Sequence, residues 1–146
     1  MIIKPKIKLL TSDAVIPTQG SDGAAALDLY ATQDHMILPG KEAVMIGTGI
    51  AIELPKNIAI LLLPRSGLSF RQGLVPVNSP GLIDPDYRGE IKVAMYNRYP
   101  EEAIVRKGER IAQIMFVPFY DINFQVVDEL SSTERAAGGF GSTGTK

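Results

Sequence analysis

The amino-acid sequence predicts an all-β domain of the sandwich or barrel type. The chain of 146 residues contains 14 glycines and 10 prolines, spread along its length. The segments between them are short and rich in Ile, Val and Leu, which is typical of many short strands joined by turns. The length is that of one domain with one hydrophobic core, and no internal repeat is visible.

Eight segments are predicted to be strands: Ile7–Leu10, Ala25–Tyr30, His35–Leu38, Ala43–Leu54, Ile58–Leu63, Glu90–Asn97, Ile111–Pro118 and Phe124–Val127. Residues 90–95 alternate polar and apolar side chains, so this strand should be half exposed. Residues 111–117 are nearly all apolar and should run through the core, with Gln113 as the one polar interruption. Gly47 and Gly49 predict a bulge or a corner within the fourth segment.

One short helix is predicted over Ser66–Gln72, because this segment contains no Pro and is followed by Gly73, a favourable residue just past a helix end. The chain from Ser131 to Lys146 differs in composition, with four glycines between Gly138 and Gly144. Such a segment is expected to be mobile by itself. We therefore expect a single all-β domain over residues 1–130 and a flexible C-terminal tail over residues 131–146.

Composition excludes several kinds of chemistry. There is no Cys, so thiolate catalysis, disulfides and Cys-ligated zinc are impossible. The single His, His35, lies in a polar stretch and is interpreted as a surface residue. With 15 basic and 16 acidic residues, the chain is not expected to bind nucleic acid duplexes or membrane surfaces. The longest apolar run, Ile58–Leu63, is far shorter than the roughly 18 residues of a membrane span, and a cytoplasmic location is expected.

Five short stretches carry candidate chemistry, and each also has a purely structural interpretation. In the first, Asp28 is flanked by apolar residues, and taken alone it is best interpreted as an exposed Asp on a strand. In the second, Arg65, Ser66 and Gly67 open the predicted helix, where backbone amides, a hydroxyl and a guanidinium can bind phosphate. The structural alternative there is an N-cap Ser beside a solvated Arg.

The third stretch, residues 78–90, is the richest. Asp84 ends an apolar dipeptide at the start of a polar turn, which suits a general base acting on water. Tyr87 offers a flat face for a sugar or a base. A plain hairpin with its turn at Pro85–Asp86 is the alternative, but it does not account for the concentration of Asn, Asp, Tyr, Arg and Glu.

The last two stretches are residues 108–114 and 135–144. Gln113 lies in the first of these and needs a hydrogen-bond partner if it is buried. In the second, glycine-rich backbone with Ser and Thr hydroxyls can wrap phosphate oxygens, and Phe140 can stack on a planar base. The alternative is a disordered tail, which has little use for a lone Phe.

Taken together and in this order, the five stretches resemble the five motifs of the trimeric dUTP diphosphatase family, over residues 24 to 144. The resemblance implies a jelly-roll β fold of the β-clip type and a homotrimer with active sites at the subunit interfaces. The tail of one chain would close over a nucleotide held by the other two. The implied reaction is hydrolysis of dUTP to dUMP and pyrophosphate, which keeps uracil out of DNA and supplies dUMP for thymidylate synthesis.

The resemblance also implies roles in catalysis. Asp84 would activate a water that attacks the α-phosphorus in line, and Gln113 would contact the α-phosphate or that water. Arg65, Ser66 and Gly67 would hold the phosphates from the helix N-terminus. Asp28 would act on the water shell of Mg²⁺, which is held mainly by the triphosphate.

Substrate recognition would divide between a hairpin and the tail. Uracil would pair with the backbone of the hairpin that contains Asn78, Gly81, Leu82 and Ile83 and returns near Lys92. Tyr87 would pack against deoxyribose and reject UTP. Phe140 would stack on uracil, and the β- and γ-phosphates would bind Arg135, Gly141, Ser142 and Thr143. The chain departs from the family pattern at Ala26 and at Ala136–Ala137, where Gly is common.

Two other functions also fit parts of this sequence pattern. A dCTP deaminase, or a bifunctional deaminase-diphosphatase, is similar in fold, but the segments 82–87 and 140–143 resemble the diphosphatase. A nucleotide-binding regulator could use the same pocket to sense dUTP and switch a protein partner. The presence of Asp84 argues against a protein that only binds, since a sensor needs no general base. A dual role stays open.

Overall fold

The computed structural model describes residues 2–139, and within them it contains twelve β-strands and one α-helix. In chain order these are β1 (Lys6–Leu9), β2 (Thr18–Gln19), β3 (Leu27–Tyr30), β4 (His35–Ile37), β5 (Val44–Gly47), β6 (Ile50–Glu53), β7 (Ile58–Leu63), α1 (Ser66–Gln72), β8 (Leu74–Pro76), β9 (Gly81–Ile83), β10 (Lys92–Asn97), β11 (Ala103–Val105) and β12 (Arg110–Pro118). The predicted all-β class with one short helix is confirmed. No helix in this part of the chain is long and apolar enough to cross a membrane.

The strands pair antiparallel in four sheets. The largest has the order β2-β3-β12-β7-β9, and the second has the order β5-β10-β8. Two further pairs, β1 with β6 and β4 with β11, complete the fold. The long strand β12 organises the largest sheet, because it pairs with β3 on one side and with β7 on the other. Gln113 on β12 is thereby aligned with Asp28 on β3 and with Leu63 on β7.

The core lies between these sheets and consists almost entirely of Ile, Leu, Val and Met side chains. Ile60 of β7 and Ile114 of β12 are fully buried, as are Val93 and Met95 of β10. Burying each such side chain contributes about 1.5–3 kcal/mol to folding. The core therefore fixes β7, β10 and β12 relative to one another, and these strands carry or border most of the predicted site residues.

The predicted break near Gly47 and Gly49 is confirmed, since β5 ends at Gly47 and β6 begins at Ile50. Gly49 has a φ of 68°, and a Cβ there would lie 2.7 Å from the Thr11 Oγ1 and 2.9 Å from the Ala14 Cβ. Neither the backbone conformation nor the space suits a larger residue. The helix over Ser66–Gln72 is also confirmed, and it ends at Gly73 with a φ of 68°.

Three expectations were wrong in detail. Residues 124–127 form no strand; Phe124 is 88% and Val126 is 95% exposed, because no strand edge of the described chain pairs with them. The second half of β12, from Met115 onward, is only partly buried rather than running through the core. His35 is half buried in β4 rather than at the surface. The alternation of β10 is confirmed by its burial pattern. Strands β2, β8, β9 and β11 were missed, because two or three residues are too few to show a period.

Candidate active site

An apolar pocket of about 240 Å³ lies beside the segment that joins β9 to β10. It is lined by seven of the predicted site residues: Asn78, Gly81, Leu82, Ile83, Asp84, Tyr87 and Lys92. Sequence reasoning missed the other four lining residues, Met45, Leu62, Glu90 and Ile91. Met45 and Leu62 come from distant parts of the chain, Ile91 adjoins the predicted residue Lys92, and all three have no signal beyond hydrophobicity. Glu90 was noted in the sequence but given no role.

The strand β9 presents a free backbone edge at this pocket. It is the outer strand of its sheet and pairs with β7, with Gly81 opposite Leu62 and Ile83 opposite Ile60. The predicted hairpin between β9 and the strand near Lys92 is therefore wrong in its pairing, since β10 pairs with β5 and β8 instead. The two strands belong to different sheets, and the gap between them is the pocket. Within residues 2–139 no strand pairs with the outer edge of β9, so the amide and carbonyl groups on that side are available to a planar ligand.

The ring of Tyr87 forms one wall of the apolar pocket and is held at both ends. The Tyr87 amide donates to the Asp84 carbonyl at 3.2 Å, and the phenol Oη donates to the Glu90 carbonyl at 2.9 Å. The Glu90 carboxylate in turn accepts the Gly49 amide at 2.9 Å and lies 3.5 Å from the Lys92 Nζ. The ring of Tyr87 is therefore held in a fixed position. Asp84, whose carbonyl accepts the Tyr87 amide, is exposed.

A second, arginine-lined pocket of about 260 Å³ lies where β3, β12 and the start of α1 meet. It brings together the five residues outside the C-terminal tail that were predicted to contact the phosphates or Mg²⁺: Asp28, Arg65, Ser66, Gly67 and Gln113. It opens beside a wider polar cleft of about 590 Å³ that includes Arg71. Arg110 lines both spaces and was missed as a site residue, although it stands in the stretch that contains Gln113.

Asp28 connects the two arginines of this pocket. Its Oδ1 accepts a hydrogen bond from the Arg65 Nε at 2.8 Å, and its Oδ2 lies 3.3 Å from the Arg110 Nη1. Arg65 also donates to the Arg110 carbonyl at 3.2 Å. The side chain of Asp28 is only 8% exposed, so the expectation of an exposed Asp was wrong. A carboxylate can be buried here because both oxygens are paired with guanidinium groups.

The structural alternative for Arg65 and Ser66 is also wrong. Arg65, not Ser66, occupies the N-cap position of α1, and no side chain caps the helix. Arg65 is bound to Asp28 rather than solvated, and its side chain is 26% exposed. Gln113 has the partner expected of a buried amide, because its Nε2 donates to the Pro64 carbonyl at 2.8 Å. This bond ties β12 to the residue before Arg65.

The arginine pocket contains little that could hold a metal ion by itself. Within residues 2–139, no group of three or more His, Asp or Glu side chains is placed to bind one. The Asp28 carboxylate accepts one hydrogen bond on each oxygen, and a carboxylate has about four lone-pair sites. Lone-pair sites of Asp28 are therefore left for other contacts, and its role toward Mg²⁺ stays a prediction.

Replacing Asp28 with Asn should destabilise the fold and loosen Arg65. The neutral amide leaves two arginines near each other without their shared anion. Arg65 is part-buried but Arg110 is 48% exposed, so solvent screens part of the lost interaction. We expect the free energy of unfolding to fall by about 1–3 kcal/mol, which urea denaturation at fixed protein concentration would measure.

The matched control is Asp34→Asn, which removes an Asp–Arg pair of the same 2.8 Å length at the surface. The pKa of Asp34 is lowered, first because its carboxylate accepts the Lys107 amide and second because of Arg106. The side chains of Asp34 and Arg106 are more than half exposed, so this change should affect stability little. An equal decrease in the free energy of unfolding in the two variants would show that the burial of Asp28 contributes nothing to stability.

The two pockets are separate within one chain and share no lining residue. Ile83, next to Asp84, pairs with Ile60 near the start of β7, whereas Arg65 lies just past the other end of that strand. Five residues of extended chain separate these positions, which corresponds to about 16 Å. One chain therefore does not place Asp84 next to Arg65.

The tail residues lie partly outside the described chain. Arg135 is exposed, its Nε donates to the Gly138 carbonyl at 2.9 Å, and it lines neither pocket. Ala136 has a φ of 42°, a left-handed conformation that favours glycine, which explains why Gly suits this position better. The predicted roles of Phe140, Gly141, Ser142 and Thr143 fall outside residues 2–139.

The chain matches the family model described as dUTPase over residues 12–144. The deoxyuridine 5'-triphosphate nucleotidohydrolase of Hydrogenobaculum sp. is 46% identical over 144 residues, covering 99% of this chain and 100% of that protein. The protein of the same name from Nautilia profundicola is 47% identical over 142 residues, covering 97% and 99%. These matches extend over both pockets.

Solved structures agree with the sequence matches. The dUTPase of Staphylococcus bacteriophage 80alpha, determined with dUPNHPP, superposes with a TM-score of 0.88 at 28% identity, covering 97% of this chain and 98% of that one. The dUTPase of Staphylococcus aureus phage phi11, described with a structural Mg(II) ion, gives a TM-score of 0.78 at 22% identity, covering 87% and 98%. The jelly-roll-like β fold is thereby confirmed.

Proposed function

This chain belongs to the dUTPase family, and from that premise we propose that it hydrolyses dUTP to dUMP and pyrophosphate. The observation that carries the proposal is the division of the predicted residues into two pockets, one apolar with a free strand edge and one lined by arginines. The first is suited to a base and its sugar, and the second to a triphosphate. The product dUMP is the precursor for thymidylate, and removal of dUTP keeps uracil out of DNA.

The apolar pocket binds the uracil nucleoside. The backbone groups of β9 (Gly81–Ile83) that face away from β7 are free to pair with the edge of uracil, and Asn78 lies beside them. Uracil bound along β9 leaves no room in this pocket for the methyl group of thymine. Cytosine has a donor at N4 where uracil has the acceptor O4, and an acceptor at N3 where uracil has a donor, so it is rejected by the same backbone edge. Tyr87 packs against the deoxyribose and leaves no space for a 2′-hydroxyl.

Asp84 acts as the general base. Its carboxylate accepts a proton from a water whose oxygen bonds to the α-phosphorus. The bond between that phosphorus and the oxygen bridging to the β-phosphorus then breaks, and pyrophosphate leaves. General bases of this kind contribute about 100- to 10,000-fold to rate. Asp84 is exposed in the single chain, and a neighbouring subunit would exclude the bulk solvent.

The arginine pocket holds the phosphates. Arg65 keeps its orientation through Asp28 and the Arg110 carbonyl, so its remaining donors face the pocket in a fixed geometry. Ser66, Gly67 and Gln113 line the same space. When Mg²⁺ is bound, chiefly by the triphosphate oxygens and through water by Asp28, it offsets negative charge on the phosphates.

The complete site requires more than one chain, because Asp84 and Arg65 are too far apart within one. We assign the assembly as a homotrimer in which the apolar pocket of one subunit meets the arginine pocket of the next. Residues 119–130 leave the domain with many apolar side chains in solvent, including Tyr120 at 84% and Phe124 at 88% exposure. Such an arm is suited to packing on a neighbouring copy. Residues 131–146 of a third chain then close over the nucleotide.

The proposed activity is tested with dUTP, dTTP, dCTP and UTP in separate reactions with Mg²⁺, following pyrophosphate and ammonia. We expect pyrophosphate from dUTP alone and no ammonia from dCTP, since the geometry serves phosphoryl transfer. Pyrophosphate from several nucleotides would contradict the roles of β9 and Tyr87. Binding of dUTP without any pyrophosphate would favour the regulatory alternative, and ammonia from dCTP would favour the deaminase.

A further inference from the structure

We propose that Gly89 determines how strictly this protein rejects ribonucleotides, by providing the seat on which the ring of Tyr87 rests. The proposal deepens the proposed function, because it identifies a residue outside the pocket lining that governs the sugar specificity of the same site. Gly89 contacts no substrate in this account, and it acts entirely through the position of Tyr87.

The contact between Gly89 and Tyr87 is too close for any side chain at residue 89. A Cβ on Gly89 would lie 2.6 Å from the Tyr87 Cζ and 3.0 Å from the Cε2, with the Oη also in collision. Carbon atoms that are not bonded prefer separations of about 3.5–4.0 Å. The phenol ring therefore lies directly on the backbone of Gly89, and an alanine there must displace it.

Backbone conformation does not account for this glycine. Five other described glycines have a positive φ, which by itself favours Gly: Gly23, Gly40, Gly49, Gly73 and Gly108. Gly89 is not among them, so the backbone conformation of residue 89 is one that other residues adopt. Glycine is needed at residue 89 because the ring of Tyr87 occupies the space that a Cβ would take.

The ring cannot move away from Gly89 without losing its anchor. The Tyr87 Oη donates to the carbonyl of Glu90, the residue that follows Gly89, and the Tyr87 amide donates to the Asp84 carbonyl. The bond to Glu90 spans residue 89, and the bond to Asp84 fixes the backbone of Tyr87, so lifting the ring off Gly89 breaks or stretches the bond to Glu90. The wall of the apolar pocket then loses its fixed position, and a shift of about 1 Å is enough to change specificity strongly.

The test compares dUTP and UTP as substrates of Gly89→Ala. We expect the ratio of kcat/KM for dUTP to that for UTP to fall by about tenfold or more. The loop control is Asp86→Ala, which alters an exposed residue of the same segment that lines neither pocket, and it should keep the wild-type ratio. A wild-type ratio in Gly89→Ala would overturn the proposal.

A double-mutant cycle separates this role from a general structural one. In a Tyr87→Ala background there is no ring to displace, so adding Gly89→Ala should change the ratio no further. If the two substitutions act additively, Gly89 works independently of Tyr87 and the proposal is wrong. Tyr87→Phe removes the bond to Glu90 and should lower the ratio in the same direction.

A readout without nucleotide keeps this proposal distinct from the proposed function. The chain contains 5 tyrosines, so ¹⁹F NMR of fluorotyrosine-labelled protein gives few resonances, and Tyr87→Phe assigns the one of interest. Gly89→Ala should shift or broaden that resonance selectively. An unchanged resonance overturns the role of Gly89, whereas failure of the wild type to hydrolyse dUTP overturns the proposed function.

Discussion

Asp84→Asn should lose about 100- to 10,000-fold in kcat for dUTP while keeping its affinity for the nucleotide. The amide has the size and shape of the carboxylate but accepts no proton from the attacking water. Asp84 lines the apolar pocket together with Tyr87. Among residues 2–139, Glu90 is the one other residue with a carboxylate that lines this pocket. Glu90 is occupied by the Gly49 amide and Lys92.

The rate is measured as pyrophosphate release, and affinity is measured by calorimetry with the dUTP analogue dUpNHpp. The matched control is Asp86→Asn, an exposed acid two residues away that lines neither pocket, and it should retain near wild-type activity. If Asp84→Asn kept more than about one tenth of the wild-type kcat, the general base would have to be another group. Loss of analogue binding together with activity would point to misfolding instead.

The second large effect is recovery of activity when two inactive variants are combined. Asp84→Asn removes the base from the apolar pocket, and Arg65→Ala removes the anchor of the arginine pocket. Because these pockets are separate within a chain, a mixed trimer can pair an intact apolar pocket from one variant with an intact arginine pocket from the other. In every mixed trimer about one of the three sites would be complete, so protein purified through both tags should recover about one third of the wild-type activity.

The two variants carry different affinity tags, are unfolded and refolded together, and are purified through both tags before assay. Mixing Asp84→Asn with the double variant Asp84→Asn/Arg65→Ala is the negative control, because no site in it has a base. Absence of recovery in verified mixed assemblies would mean that a single chain supplies both residues. Recovery would establish the shared site and set the pairing of pockets between subunits.

Local features of the chain were predicted well from the sequence. The helix Ser66–Gln72 was predicted correctly, because the signal for its end is local. Gly73 directly follows it and adopts the left-handed conformation that ends helices. The strand Ile58–Leu63 was also correct, because a short apolar run between turn residues has few alternatives. Twelve of the predicted site residues line the two pockets and Arg135 lines neither, and the catalytic and binding roles of all of them stay predictions.

Features that depend on distant residues were not predictable. Asp28 is buried only because Arg65 and Arg110 reach it from positions 37 and 82 residues further along the chain. The sequence near Asp28 contains no sign of either partner. Similarly, β9 could have paired with β10 or with β7, and the choice depends on the whole sheet rather than on residues 78–92. Residues 124–127 resemble a strand in their sequence but pair with no strand within residues 2–139.

The distance between the two pockets within one chain also has a consequence in the cell. A protein whose reacting groups come from different copies has no activity as a lone molecule, so its output is governed by mass action between subunits. Dilution below the dissociation constant of the assembly would lower the activity of every copy at once. Expression level would then control both the amount of this protein and the fraction of it that works.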